Sequence, residues 1–424
     1  MNSSYFTIYI AHIVFLIASS IPVSVLSQQC DGAEIFTRES YLYGRFEVAM
    51  QSAPGSGIVS SFFLFNNQSG CNYPEENNEI DIEMTGNKND IYFTTHHPGS
   101  QNPWFYGDNF DLGFNPHQDI HHYAIEWEPG IVRWFVDNAL IYVQDEEAAN
   151  DLMYPMAIYM NLWASEVEDW VGPWNPAILP RHSKYEYVKY YQYRPGSGNY
   201  GINNNYRLEW EDHFEFLDTE RWTTSDFTQF ALNYCTYKTG NVSINDGYLY
   251  LLIAEHLTST TQIPVTFSVN VADLDLDSSD KIYLNGTFNN WCGTCNPMTQ
   301  MGDMWELTLN LIPGRYEYLY VLNLWETTGG APLNSECDFT PCDEFLNYGF
   351  ILQEAVDHQI LDTYCWSTCD NCQTTGVEEL SLNSDKKLIK IIDVTGREVL
   401  PSLNKLLFYL YNDGSYKKRF IVKH

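Results

Sequence analysis

Positive charge is scarce in this chain. Its 424 residues include 22 Lys and Arg against 55 Asp and Glu, a formal net charge of -33. So acidic a surface repels phosphate backbones and anionic headgroups, which argues against nucleic acid and anionic membranes as partners. A neutral polysaccharide meets no such opposition. Convincing long helical periodicity is also missing. Apolar residues alternate instead, punctuated by Gly, Asn and Pro, and this reads as an all-β protein of several domains. Long apolar runs are missing except at residues 13–26, and about 14 residues is short for a membrane span. Small residues and Gln28-Gln29 follow, so residues 1–27 read as a secretory signal peptide, although no Lys or Arg precedes the run. An uncleaved anchor is the alternative. Ten Cys fit an oxidising destination.

What the chain does have is aromatic residues, with 31 Tyr and 12 Trp, and one unusual row of acids. Aromatics suit sugar stacking, and they also suit packing in β-rich folds. The row is Glu79-Ile80-Asp81-Ile82-Glu83. On a strand, Glu79, Asp81 and Glu83 share one face while Ile80 and Ile82 enter a core. Like charges on neighbouring same-face positions destabilise a sheet. Two carboxyls flanking a scissile bond are what glycoside hydrolysis requires. A solvated acidic strand face is the structural alternative.

The surrounding segments carry a resemblance. Tyr43-Gly44-Arg45-Phe46-Glu47-Val48 and Gly57–Phe63 read as strands before the acidic row. His122–Trp127 and Val132–Asp137 read as strands after it, and Met160-Asn161-Leu162-Trp163 and Trp170-Val171-Gly172 follow. From about residue 30 to 194 the chain resembles glycoside hydrolase family 16, and the unbroken acid-x-acid-x-acid strand is similar to its lichenase and xyloglucan-active members. The resemblance implies a concanavalin-like β-jelly-roll sandwich. It also implies Glu79 as nucleophile, Glu83 as general acid/base and Asp81 as the residue that assists them.

It further implies substrate contacts at Glu34, His97, Asn161, Trp163, Trp170, Phe227 and Asn233. Asn77 departs from the Trp often found before the catalytic strand, and His97 stands where some members have Tyr. Some members hold a structural calcium. Glu186 and Gly247 fall at the matching positions, with Glu replacing a shorter acid or amide, and no cofactor is required for the chemistry. His117, His121 and His122 cluster in sequence but lack metal-ligand spacing, and a solvated loop is their simpler reading.

The order of the segments is unusual. Leu208–Phe214, Asp218–Trp222 and Asn241–Leu249 resemble the opening strands of the family, yet here they follow Arg194–Gly201, a stretch that reads as a domain-ending linker. The resemblance therefore implies a circularly permuted catalytic domain over residues 28–256. Surface termini of compact sandwiches permit this. The alternative, a separate domain of about 45 residues, would make a poor core. Asn233-Tyr234-Cys235 and Cys30-Asp31-Gly32 match two cysteine contexts of the family, which implies a Cys30–Cys235 disulfide.

Residues 262–373 resemble starch-binding-type and related immunoglobulin-like modules through Leu284–Trp291 and Pro313–Tyr318. Trp291, Trp305 and Trp325 are candidate stacking residues for a second glucan. Cys337, Cys365, Cys369 and Cys372 suggest local bridges, 337–365 and 369–372. Residues 376–424, with a basic end at Lys417-Lys418-Arg419, resemble a C-terminal sorting domain of the type IX secretion system of Gram-negative bacteria, which implies secretion or surface attachment. The function these readings imply is retaining, endo-acting hydrolysis of mixed-linkage β-1,3-1,4-glucan. An endo-β-1,3-glucanase and a non-catalytic polysaccharide-binding protein are the alternatives.

Overall fold

The computed structural model describes residues 30–370 apart from 69–75, 99–104, 146–148, 334, 341–342 and 344, and the backbone of three strands between residues 388 and 420. Sixteen strands form one sheet that curls over itself into a jelly-roll-like sandwich. Its inner layer is built from β1 (Cys30–Thr37), β3 (Ile58–Phe65), β4 (Glu79–Thr85), β5 (Asp90–His96), β6 (Phe105–Asp111) and β10 (Ala157–Ala164), in the order β6-β5-β4-β3-β10-β1. Its outer layer is β2 (Gly44–Gln51), β7 (His121–Glu128), β8 (Ile131–Val136), β9 (Ala139–Asp145), β11 (Arg181–Tyr193) and β16 (Tyr248–Glu255), in the order β16-β11-β2-β7-β8-β9.

The remaining members are β12 (Tyr206–Asp212) on β11, β13 (Trp222–Thr224) and β14 (Cys235–Tyr237) on β1, and β15 (Val242–Asn245) on β16. One helical turn, α1 (Glu168–Val171), follows β10. The two layers close because β1 belongs to both. Ala33–Phe36 pair with β10, while Cys30 and Asp31 pair with β16.

Alternation along each strand fills the space between the layers. Ile80 and Ile82 of β4, Phe62 and Leu64 of β3, Phe46 and Val48 of β2, and Trp127 and Trp134 of β7 and β8 are fully buried in one cluster. A fully buried side chain of this size contributes roughly 1.5–3 kcal/mol by leaving water. Residues 206–255 belong to this sandwich, since β16 lies between β1 and β11 in the sheet. Cys30 and Cys235 form a disulfide with a Cα–Cα distance of 4.5 Å, and the residues are partners in the parallel β1·β14 pairing.

Residues 194–201 are not a domain-ending linker. They form the connection from β11 to its antiparallel partner β12 and fold back on the outer layer. Tyr200 stacks on Tyr191 at 4.7 Å, and the Ile202 amide donates to Glu126 Oε1 at 3.1 Å. That carboxylate also takes Arg45 Nη1 at 2.9 Å. Gly201 sits at φ +69, and a Cβ there would lie 2.4 Å from Glu126 Oε1, so only glycine allows this approach.

A second unit packs two sheets face to face. One contains β17 (Ile263–Asn270), β19 (Thr299–Met301), β20 (Met304–Leu311), β24 (Gln359–Ile360) and β25 (Tyr364–Cys365). The other contains β18 (Ile282–Gly286), β21 (Gly314–Leu322), β22 (Thr327–Gly329) and β23 (Tyr348–Leu352). Phe267, Leu284, Trp305, Tyr320 and Leu352 meet between them. Trp305 is thus core rather than a stacking surface, because it alternates inward opposite Val269. Trp291 is partly exposed and Trp325 is 43% exposed.

The cysteines of this unit pair differently from the spacing argument. Cys337 bonds Cys369, Cys292 bonds Cys295, and Cys365 is also disulfide-bonded, while Cys372 lies outside the described residues. Cys337 and Cys369 are 5.6 Å apart at Cα, within disulfide reach, although 32 residues separate them. Near the C-terminus, β26 (Leu388–Asp393), β27 (Leu406–Tyr411) and β28 (Tyr416–Phe420) form a three-stranded antiparallel sheet. The apolar stretch at residues 13–26 lies outside the described residues.

Candidate active site

Register determines which side chains meet on the open face of the inner layer. Direct partners across an antiparallel sheet point to the same face. One row runs Asn109, Tyr92, Glu83, Ser61, Asn161, Glu34. The next runs Gly107, Thr94, Asp81, Phe63, Tyr159, Phe36, and a third runs Phe105, His96, Glu79, Phe65, Ala157. The three carboxylates of β4 therefore sit mid-sheet, with polar groups along the first row and aromatic rings along the second. Phe36 stacks on Tyr159 at 4.6 Å, and Phe63 stacks on its other side at 5.0 Å.

Asp81 is the most enclosed of the three. Thr94 Oγ1 donates to its Oδ2 at 2.5 Å, His96 Nε2 lies 3.3 Å from the same oxygen, and Trp134 Nε1 donates to its backbone carbonyl at 2.9 Å. Glu79 and Glu83 flank it. Burial pushes the Glu79 carboxyl up to about 8. The charge of Asp81 adds to this and that of His96 opposes it. Burial, then Asp81 and Glu79, push Glu83 well above the carboxylate range. Burial works against a charged His96, yet Glu79, Asp81 and Glu83 outweigh it and hold the imidazole up at about 9. The site thus combines two carboxyls that keep protons unusually long with a cation beside the first of them.

At the far end of the polar row, Asn161 Nδ2 donates to Glu34 Oε2 at 3.3 Å and to the Tyr237 hydroxyl at 3.1 Å. Ser225 Oγ donates to Glu34 Oε1 at 2.6 Å. Burial raises the Glu34 pKa against side-chain hydrogen bonds from Ser225, Asn161 and Tyr237. Ser61 Oγ and Asn161 Oδ1 are buried without a partner among the described residues, and both belong to this row.

An aromatic wall rises beside it. Trp163 lies 6.0 Å from Trp170 and 4.8 Å from Phe230, and Trp170 meets Tyr92 edge-on at 5.8 Å. Lys88 Nζ, bonded to the Trp170 carbonyl at 3.1 Å and the Tyr92 hydroxyl at 3.3 Å, fixes that corner.

Of the residues singled out from sequence, Glu34, Asn161, Trp163 and Trp170 join the three carboxylates on this face. His97 does not. It follows the end of β5, bonds Thr95 Oγ1 at 3.1 Å and packs edge-on against Tyr106, on the opposite face from Thr94 and His96. His96 occupies the place on the carboxylate face, fixed there by its cross-strand pairing with Glu79.

Phe227 does not line the face either. Its ring is covered by Lys238 Nζ at 3.4 Å, and Phe230 supplies the aromatic contact to Trp163. Asn233 is buried and holds a turn, accepting from the Cys235 amide at 2.8 Å while its backbone carbonyl accepts from Gln229. Ser225, Tyr237 and the Phe36–Tyr159–Phe63 strip were missed in sequence. Only the pairing register brings them in.

No group of three or more His, Cys, Asp or Glu among the described residues could hold a metal. His121 pairs with Asp137 at 2.8 Å, His122 with the Tyr187 hydroxyl at 2.8 Å, and His117 with Ser52 Oγ at 2.8 Å, each a separate contact. Glu186 follows Tyr185, which pairs with Leu249, and Gly247 forms the turn before β16. No step is derived through a metal.

The sequence profile of the glycosyl hydrolases family 16 matches residues 12–188. A β-glucanase of Fibrobacter succinogenes is 31% identical over 251 residues, covering 56% of this chain and 67% of that protein. The chain belongs to glycosyl hydrolase family 16. A Paenibacillus polymyxa β-glucanase is 33% identical over 171 residues, which is 39% of this chain and 67% of the relative. Among solved structures, a Bacillus licheniformis β-glucanase is 32% identical, with 36% of this chain and 68% of that one covered and a TM-score of 0.32. Membership makes the chain a glycoside hydrolase by family, and the carboxylate face is the part of it equipped for that chemistry.

Proposed function

We propose that this family 16 protein is a retaining endo-β-glucanase acting on mixed-linkage β-1,3-1,4-glucan. The observation that carries the reading is the row of three carboxylates on one face of β4, with the His96 cation at its Glu79 end. Glu79 is the direct cross-strand partner of the His96 cation, while Glu83 lies two pleat repeats further along β4, opposite Tyr92. Glu79 is then the carboxylate that attacks the anomeric carbon, while Glu83 gives its proton to the departing glycosidic oxygen. A water next attacks the glycosyl–Glu79 ester, Glu83 takes its proton back, and Glu79 leaves as carboxylate. Asp81, fixed by Thr94 and His96, keeps the two acids crowded and tunes both.

Several features support the rest of the reading. Family relatives named β-glucanases favour a glucan substrate. The unbroken acid-x-acid-x-acid strand and the Asn161-Leu162-Trp163 segment favour mixed linkage over β-1,3 linkage. A circularly permuted domain accounts for residues 206–255 joining the sheet after β11, and for an alignment to the Fibrobacter protein of 251 residues against 171 for the Paenibacillus one. The second unit acts as an immunoglobulin-like carbohydrate-binding module through Trp291 and Trp325. Residues 376–424 act as a sorting domain that delivers the enzyme to the outside of a Gram-negative cell.

Reducing-sugar release from lichenan, laminarin and xyloglucan, measured side by side, tests the central reading. Lichenan should be the preferred substrate. Preference for laminarin would make it a β-1,3-glucanase, and inertness on all three would make it a binding protein.

A further inference from the structure

The polar row of the cleft does not stop at Glu34. Ser225 continues it past the β1 edge, and the next two residues meet the second unit. Asp226 Oδ2 accepts from Gln353 Nε2 at 2.7 Å, the hydrogen bond that ties the two units at this point. Phe227 lines a cavity of about 380 Å³ together with Lys238 and His256 from the sandwich side and Arg315, Tyr316 and Glu354 from the second unit.

One group in this cavity is conspicuous. The Lys238 ammonium has no hydrogen-bond acceptor or ion-pair partner among the described residues, and its contact is the face of the Phe227 ring at 3.4 Å. Asp31, Asp226 and Glu354 act on it only at longer range, and burial pulls its pKa down. An ammonium offers three donors, and leaving them unmet in a half-buried place is costly. His256 and Arg315 are already engaged, with Asp31 Oδ1 at 2.8 Å and Thr340 Oγ1 at 3.0 Å. The carboxylate of Glu354, which is exposed, stands on the opposite side as an acceptor. Donor, acceptor and the rim of an aromatic ring are the fittings of a site for a neutral, hydroxyl-rich ligand.

We infer that this cavity is a remote sugar subsite, shared by the two units, which holds the β-glucan chain where it runs out of the cleft. The inference rests on the glucanase reading above. Position supports it: four strand steps of about 4.8 Å separate β4 from β13, which puts the cavity roughly 19 Å from the carboxylates, beyond the reach of a trisaccharide. Polymer would feel the subsite and short substrates would not.

The test is steady-state kinetics of the full chain on lichenan and on a mixed-linkage trisaccharide aryl glycoside. The variants are Lys238→Met, which keeps the stem over Phe227, and Glu354→Gln on the other unit. Lys238→Met should raise KM for lichenan about five-fold, the value of one hydrogen bond, with kcat unchanged and the aryl glycoside kinetics untouched. Glu354→Gln should move the same parameter in the same direction. Wild-type kinetics on lichenan in both variants, or equal losses on both substrates, would overturn the subsite alone. A wild-type enzyme inert on lichenan would overturn the glucanase reading, and the subsite with it.

Discussion

Glu79 and His96 are direct partners across the β4·β5 pairing, so a carboxyl and an imidazole share one point on the open face of the sheet. Asp81 completes the triangle, with its Oδ2 3.3 Å from His96 Nε2. His96 holds its proton up to about 9, so the imidazole is a cation through the neutral range and pulls the Glu79 pKa down from where burial would leave it.

His96→Gln removes that cation. Glu79 then keeps its proton to higher pH, so the acidic limb of the kcat/KM profile should move upward by about one unit, the effect of roughly 1.4 kcal/mol. Activity well above the limb should change little. A limb that stays in place or moves to lower pH would show that His96 does not set the Glu79 charge.

Glu79→Gln and Glu83→Gln should each remove nearly all hydrolysis, by about three orders of magnitude or more. Both should also melt higher than wild type at neutral pH. The sign follows from the raised pKa of each acid. A folded-state carboxyl that binds its proton more tightly than the unfolded one costs stability as pH rises above the unfolded value near 4.5. An amide carries no such cost, so the gain should vanish at pH 4 and grow toward pH 7. Thermal melts across that range check it, and a variant less stable than wild type at pH 7 would contradict the account of a crowded row.

The two acids should separate under azide. In Glu83→Ala, azide should attack the glycosyl–enzyme and give a product of retained configuration. In Glu79→Ala, it should take the place of the missing nucleophile and invert. Product anomers read by NMR decide between them, and the opposite pattern would exchange the roles.

Replacing both Cys30 and Cys235 with Ser should cost 2–5 kcal/mol, since the bridge closes a loop spanning 205 positions. A fragment ending at Arg194 should fail to fold, because it lacks β16 between β1 and β11 and leaves both edges open. Denaturant unfolding of the double variant and solubility of the fragment measure the two effects. A soluble, active 28–194 fragment would show that the later strands are dispensable.

Strand alternation made the one-face arrangement of Glu79, Asp81 and Glu83 legible in the sequence, and the same rule placed Ile80 and Ile82 inside. The resemblance, by contrast, pointed to His97, one residue past the partner of Glu79. His96 and His97 are adjacent, and only the exact register with β4 tells which one faces the acids. The resemblance also pointed to Phe227, in the loop between β13 and β14, where Phe227 and Leu232 adopt left-handed backbone conformations, φ 52 and 67, that break any period of two. Phe230 rather than Phe227 consequently meets Trp163. The Cys337–Cys369 pairing was illegible for a different reason: residues 32 apart meet only through folding of the second unit, and spacing carries no information about that.

The chain enters the sandwich at Cys30 and leaves it at Glu255, and these two residues are partners in the β1·β16 pairing. Mechanical load applied through the connection at 256–262 therefore enters at one corner. There it is shared at once between β16, β1 and the Cys30–Cys235 bond. The strands β3 to β6, which carry the carboxylates and their cation, lie away from that corner in the sheet order, beyond β10.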